Sequence, residues 1–207
     1  MKKANITIYQ GATFGKPFYW YDGDEVIKPI TTLADGFPSG YPPVLGVTAH
    51  GLPALACPCR ILGVKGPTAI NTDPDDPNDR RYVTKIDANT ASVAGVNISG
   101  LRPYLGNGFL VYTPPKDLTG YKARLQIRKT LTATDVLFEA TTENGGIDLT
   151  DAEGLIEVSI AAVDTEAFTF KSGVYHLEMV LPGGVPADDV VTRIAYGTVK
   201  LDLEVTR

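Results

Sequence analysis

Two histidines, two cysteines and one dense acidic run are where this 207-residue sequence holds side chains capable of chemistry. His50 stands in Thr48-Ala49-His50-Gly51-Leu52-Pro53, after an apolar run and before a turn. A ring nitrogen there can act as a general base, or can hold the turn by a hydrogen bond. His176 lies far away in Val174-Tyr175-His176-Leu177-Glu178, where alternation puts it on the polar face of a strand beside Glu178. Cys57 and Cys59 are spaced C-x-C, which is awkward for a disulfide. With His50 the only imidazole nearby, they do not close a zinc site. They read as two half-buried thiols in a strand, where small apolar cysteine is common. The run from Asp73 to Asp79 brings Asp73, Asp75, Asp76 and Asp79 together, the oxygen-rich chemistry a calcium ion needs. Pro74 and Pro77 interrupt it, and no glycine-centred loop with a closing glutamate follows, so a solvated loop is the plainer reading. Asp188-Asp189 sit in a Gly/Pro-rich loop without a facing partner. Gly145-Gly146 and Gly183-Gly184 are turn glycines, because neither leads into a helix or a Lys-Ser/Thr pair. The expectation is a chain that is not an enzyme, with no catalytic, cofactor-binding or metal-ligating residues.

The elements that must position these residues are strands. Helical periodicity is confined to residues 161–168, and short alternating runs are punctuated elsewhere by Gly, Pro, Asn and Asp. Residues 121–128 alternate most cleanly, with Ala123, Leu125 and Ile127 on one face and Lys122, Arg124, Gln126 and Arg128 on the wet one. Further strands are expected at 136–141, 146–149, 155–160, 174–180 and 192–205. At the start, residues 5–9 and 17–21 read as two short strands separated by a glycine kink or bulge at Gly11. Residues 29–44, rich in Pro, Gly and Thr, read as a connector running over a surface. A second β-rich region follows, with strands at 44–49, 59–64, 82–87, 91–96 and 108–112. Asp87-Ala88-Asn89-Thr90 forms a hairpin turn in it, with Asn89 suited to positive φ.

Composition bounds the partners. Lys and Arg number 19 against 24 Asp and Glu, a net charge of −5. Apart from Lys2-Lys3 and Arg80-Arg81 the cations are scattered, so nucleic acid is not an expected partner. No run approaches the roughly 20 apolar residues of a membrane helix, and the first residues lack a signal-peptide pattern. Neither a membrane nor a secretory route is expected, and synthesis in the cytoplasm is the default.

Two segments carry a resemblance. Asp117-Leu118-Thr119-Gly120-Tyr121-Lys122-Ala123-Arg124-Leu125-Gln126-Ile127-Arg128, followed by Thr141-Thr142-Glu143-Asn144-Gly145-Gly146-Ile147, is similar to the amino-terminal immunoglobulin-like domain of baseplate upper proteins of tailed bacteriophages. Gly173-Val174-Tyr175-His176-Leu177-Glu178, then Thr192-Arg193 and Gly197-Thr198-Val199, matches its closing pattern. A strand followed by Gln10-Gly11-Ala12-Thr13-Phe14 matches its opening. In between, Val47-Thr48-Ala49-His50-Gly51-Leu52, Ile61-Leu62-Gly63-Val64-Lys65-Gly66, Ile86-Asp87-Ala88-Asn89-Thr90 and Gly95-Val96-Asn97 resemble a small β-barrel module. That module is named after the first catalytic-cysteine half-domain of ubiquitin-activating enzymes. Nothing marks Cys57 or Cys59 as a transfer thiol.

The resemblances imply an all-β chain: an immunoglobulin-like sandwich from residues 1–28 and 114–207, with a small barrel, residues 29–113, inserted between its second and third strands. They imply a virion protein that assembles in the neck, tail or baseplate or anchors fibres. Its expected partners are other virion proteins and copies of itself in a ring or trimer. Capsid decoration and host-surface binding are the rival roles, the latter through a platform of Tyr104, Tyr82 and Phe109. Expected contact regions are the arm at residues 1–5, the connector, the acidic run and the loop 183–189. The arm could add a strand to a neighbour's sheet.

Overall fold

The computed structural model describes residues 2–36, 41–76, 78–185 and 188–204. Met1, residues 37–40, Pro77, 186–187 and 205–207 lie outside the described residues; they belong to the expected arm, connector, acidic run, 183–189 loop and last strand. In chain order the strands are β1 (Lys2–Lys3), β2 (Ile6–Tyr9), β3 (Phe14–Tyr19), β4 (Val26–Pro29), β5 (Thr32–Gly36) and β6 (Tyr41–Gly46). They continue with β7 (Cys57–Leu62), β8 (Arg81–Lys85), β9 (Thr90–Val93), β10 (Phe109–Tyr112), β11 (Lys122–Arg128) and β12 (Val136–Thr141). Then come β13 (Ile147–Thr150), β14 (Leu155–Ile160), a short helix α1 (Ala162–Glu166), β15 (Ser172–Leu181) and β16 (Val190–Asp202). No helix among the described residues is long and apolar enough to cross a membrane.

The chain divides into two compact units, residues 1–20 with 117–207 and residues 21–116. The sequence reading puts the junctions later and earlier, at 28/29 and 113/114. Pairing explains the difference: β4 lies along β10 from Val26↔Tyr112 to Pro29↔Phe109, and Tyr21 bridges Pro115, so both flanks belong to the inserted unit.

The first unit is an immunoglobulin-like sandwich. One sheet has the order β1/β2–β16–β15–β11–β12, with β1 and β2 parallel to β16, and the other has the order β13–β14–β3. Alternation produces it directly: Ala123, Leu125 and Ile127 of β11 are buried, as are Tyr175, Leu177 and Met179 of β15, while their neighbours face outward. Against them pack Ile147 and Ile156 from the opposite sheet and Ile6 and Ile8 from β2.

One expectation at the start of the chain is corrected. The two short strands are β2 and β3, but Gly11, at φ 75°, lies between them in a turn and not in a kink or bulge: the turn closed by the Ala12 N–H to Tyr9 carbonyl bond carries the chain from one sheet to the other. The described residues of the arm pair within the chain's own sheet. Lys2 and Lys3 pair with Ala195 and Tyr196, and the Ala4 N–H donates to the Tyr196 carbonyl.

β12 is the outermost strand on its side of the sheet. Asn144 covers that edge, its Oδ1 accepting from the Thr141 N–H at 2.8 Å and its Nδ2 donating to the Glu139 carbonyl at 3.0 Å. One side-chain amide thus takes the place of a peptide group from a neighbouring strand, which blunts an edge open to aggregation.

The inserted unit is a closed barrel. Its sheet runs β4–β10–β7–β8–β9–β6–β5, and the two ends of that path are consecutive in sequence. Between them, the Ile30 N–H donates to the Gly108 carbonyl and the Thr31 N–H to the Gly46 carbonyl, so one long bent strand closes the ring from both sides. Ile30, Leu45, Ile61, Val83, Val93 and Leu110 fill the interior. The described residues of the expected surface connector at 29–44, namely 29–36 and 41–44, are therefore wall, not connector. Its prolines mislead because Pro42 and Pro43 lie together opposite Asp35, where the register shifts between Ala34↔Val44 and Gly36↔Tyr41. A bulge is where a strand tolerates residues without an N–H.

Candidate functional site

Three aligned cross-strand rows on the outer face of the sandwich build the site. Arg124, Glu178 and Arg193 form one row across β11, β15 and β16; Gln126, His176 and Tyr196 form the next; Arg128, Val174 and Thr198 form the third. The β11 and β15 residues face outward because their sequence neighbours fill the core. Arg193 joins them because β16 carries a register shift beside Glu178.

Glu178 is the shared anion. Arg124 donates to its Oε2 from Nε at 3.0 Å and from Nη2 at 2.8 Å, and Arg193 reaches its Oε1 at 3.4 Å. Burial opposes ionisation of Glu178, but the two guanidiniums outweigh it and hold the carboxyl below the ordinary glutamate value. Arg128 is fixed differently. Its Nε and Nη2 donate to Gln126 Oε1 at 3.3 and 2.8 Å, and its Nη1 to the carbonyls of Ala133 and Thr134 at 2.8 and 3.2 Å. Gln126 in turn donates to Glu139 at 2.6 Å. His176 sits among these groups, its pKa lowered by partial burial and then by Arg193 and Arg128. The cleft they enclose has a volume of about 450 Å³, with Thr130, Leu131, Val174 and Tyr175 completing its lining. Such a site can bind an anion; it offers no nucleophile paired with a base.

The residues singled out from sequence do not gather here, except His176 and Glu178. His50 is fully buried in the barrel. Its Nδ1 accepts from the Leu52 N–H at 2.9 Å, which leaves Nε2 to donate to the Asp87 carbonyl at 2.7 Å. Both ring nitrogens thus serve turns, the second of the two readings. Asn89 does not take positive φ; its Oδ1 accepts from the N–H of Ala49, which does, at φ 45°.

Cys57 and Cys59 are completely buried, not half-buried, because both point inward from β7. The hydrogen bond to Cys57 and burial push the Cys59 thiol well up, so it stays protonated and inert. The acidic carboxylates are occupied locally. Asp73 Oδ1 accepts from the Asp75 N–H, Asp76 Oδ1 from the Asn78 N–H, and Asp79 binds both Arg81 and the Asp73 N–H. Among the described residues no three His, Cys, Asp or Glu side chains converge to hold a metal. Asp189 accepts from the Gly183 N–H at 3.0 Å.

The expected aromatic platform does not form. Tyr104 turns its hydroxyl to the carbonyls of Ile30 and Asn107, both at 2.7 Å. Tyr82 pairs beside Pro58 and Phe109 beside Leu62, positions about 13 Å apart along β7 at an ordinary strand rise.

Sequence reasoning saw Lys122, Arg124, Gln126 and Arg128 as a wet face and stopped there. The cleft needs Arg193, and only the strand order brings that residue across. Compared with known proteins, the chain matches no family model and no curated protein sequence.

Proposed function

We propose that this chain is a non-enzymatic structural component of a tailed-bacteriophage particle, assembling in the neck, tail or baseplate with other virion proteins and copies of itself. The observation that carries the reading is where the residues bearing the resemblance fall: they do the work of the sandwich. Asp117 Oδ1 accepts from both the N–H and the hydroxyl of Thr119, forming the turn into β11 with Gly120 at φ 79°. Asn144 covers the edge of β12. A Cβ on Gly173 would meet the Arg128 carbonyl at 2.7 Å, and one on Gly197 would collide with the Ala4 carbonyl. These positions serve folding and leave the outer faces for contacts. Two units in one chain, each with its own core, suit a protein that joins neighbours.

The test is mass-spectrometric detection of the chain in purified particles, with labelled antibodies locating it by electron microscopy. Signal at the neck, tail or baseplate is the expected result. Signal over the head would replace the role with capsid decoration, and absence from mature particles would overturn the virion reading altogether.

A further inference from the structure

Charge is unevenly distributed on the sandwich. The chain as a whole carries −5, yet the cleft over β11, β15 and β16 holds three arginines and one glutamate. Arg124 and Arg193 share that glutamate. Arg128 has none: its hydrogen bonds go to an amide oxygen and two backbone carbonyls, all neutral. Among the described residues no carboxylate lies within ion-pair distance of it. Of the five N–H donors of a guanidinium, these bonds use four and leave one on Nη2. Arg128 is thus oriented in advance, and its charge is left over.

Orientation matters as much as charge. A side chain already held in place loses little freedom when a ligand arrives. The guanidinium does not stand alone either. Leu131, 72% exposed, and the half-buried Val174 line the same cleft, giving an apolar contact next to the cationic one. The combination suits an acidic side chain with an apolar neighbour, more than it suits a small free anion.

We propose that this cleft is a docking site for a carboxylate-bearing segment of a partner protein. The incoming carboxylate is received by the remaining Nη2 donor of Arg128, with an adjoining apolar side chain against Leu131 and Val174. Glu178, paired with Arg124 and Arg193, offsets the positive charge of the cleft and lowers the affinity. This goes beyond the virion reading and does not depend on it: the cleft docks such a segment wherever the chain resides.

The experiment uses the purified full chain, titrated calorimetrically with a capped peptide of alternating glutamate and leucine. Controls are its glutamine counterpart and inorganic sulfate. Saturable binding of the glutamate peptide alone is expected, weakening as salt is raised. Arg128→Gln weakens it about ten- to a hundredfold, the range for a charge-assisted hydrogen bond. Glu178→Gln, which removes the negative charge from the cleft, tightens it, so the test does not hang on one variant folding. No binding, equal binding of the glutamine peptide, or indifference to both substitutions overturns the proposal. Sulfate displacing the peptide at equal concentration reduces the cleft to a simple anion site and also overturns it. Absence of the chain from particles would leave these titrations untouched, so the two readings fail separately.

Discussion

The hydroxyl of Tyr175 donates a 2.6 Å hydrogen bond to the carbonyl of Ala4, tying the segment between β1 and β2 to β15. Tyr175 is otherwise enclosed in the sandwich core, only 1% exposed, and burial pushes its phenol up to about 12. The folded state therefore holds its proton over a range where the unfolded chain, near 10, gives it up. Stability fully present below pH 10 is lost as pH rises toward 12. Tyr175→Phe is expected to cost about 1 kcal/mol at neutral pH and to remove this residue's share of the alkaline loss. Urea denaturation across that pH range measures both. A variant as stable as the parent at neutral pH would mean that the bond contributes nothing.

His50 links the loop before Leu52 to the hairpin turn at residues 87–90, and the Tyr112 hydroxyl donates to its carbonyl at 2.6 Å. Replacing the imidazole with leucine strands the buried Leu52 N–H and the part-buried Asp87 carbonyl together. His50→Leu is expected to destabilise the barrel by roughly 2–4 kcal/mol. Amide exchange read residue by residue localises the loss. Unchanged protection at Leu52 would contradict the assigned bonds.

Asn144→Ala uncovers the free edge of β12 at Glu139 and Thr141. We expect a modest loss of stability, about 1 kcal/mol, and a larger rise in concentration-dependent association. Sedimentation velocity at several concentrations separates the two effects. A variant that stays as monodisperse as the parent would show the edge to be protected by other means.

Acid should weaken the sandwich in two stages. His176 is depressed from its ordinary 6.5 by burial and nearby arginines, so below that value the unfolded chain takes up the proton first. Stability then falls with pH. Glu178 is also depressed, so its contribution is present above the ordinary glutamate value and lost as pH falls through the folded one. Melting temperature against pH should show both declines, and His176→Gln should flatten the upper one only.

Much of the sandwich is legible in sequence because β11, β14 and β15 each bury one face, and alternation records that directly. The barrel is harder to read. Its wall includes Pro42 and Pro43, whose composition signals a loop and whose place at a bulge is decided by pairing. Its closure rests on Ile30 and Thr31, two residues with no distinctive pattern. The cleft is harder still. Arg128 and Arg193 lie in separate strands, and local periodicity says which side each faces but not which strands stand side by side.

The inserted barrel also governs the order in which this chain can fold. β2 and β3 leave the ribosome before the barrel does, yet their partners β16 and β14 come after the whole of residues 21–116. Left unstructured, that segment would be a long loop whose closure opposes every contact across it. The barrel removes the loop by completing itself. Its two ends meet where Tyr21 bridges Pro115, the Asp22 N–H donates to the Pro114 carbonyl and Lys116 pairs with Asp22. Once that neck has formed, the chain entering β11 starts beside the end of β3, and the sandwich can assemble as though the intervening residues were a short turn.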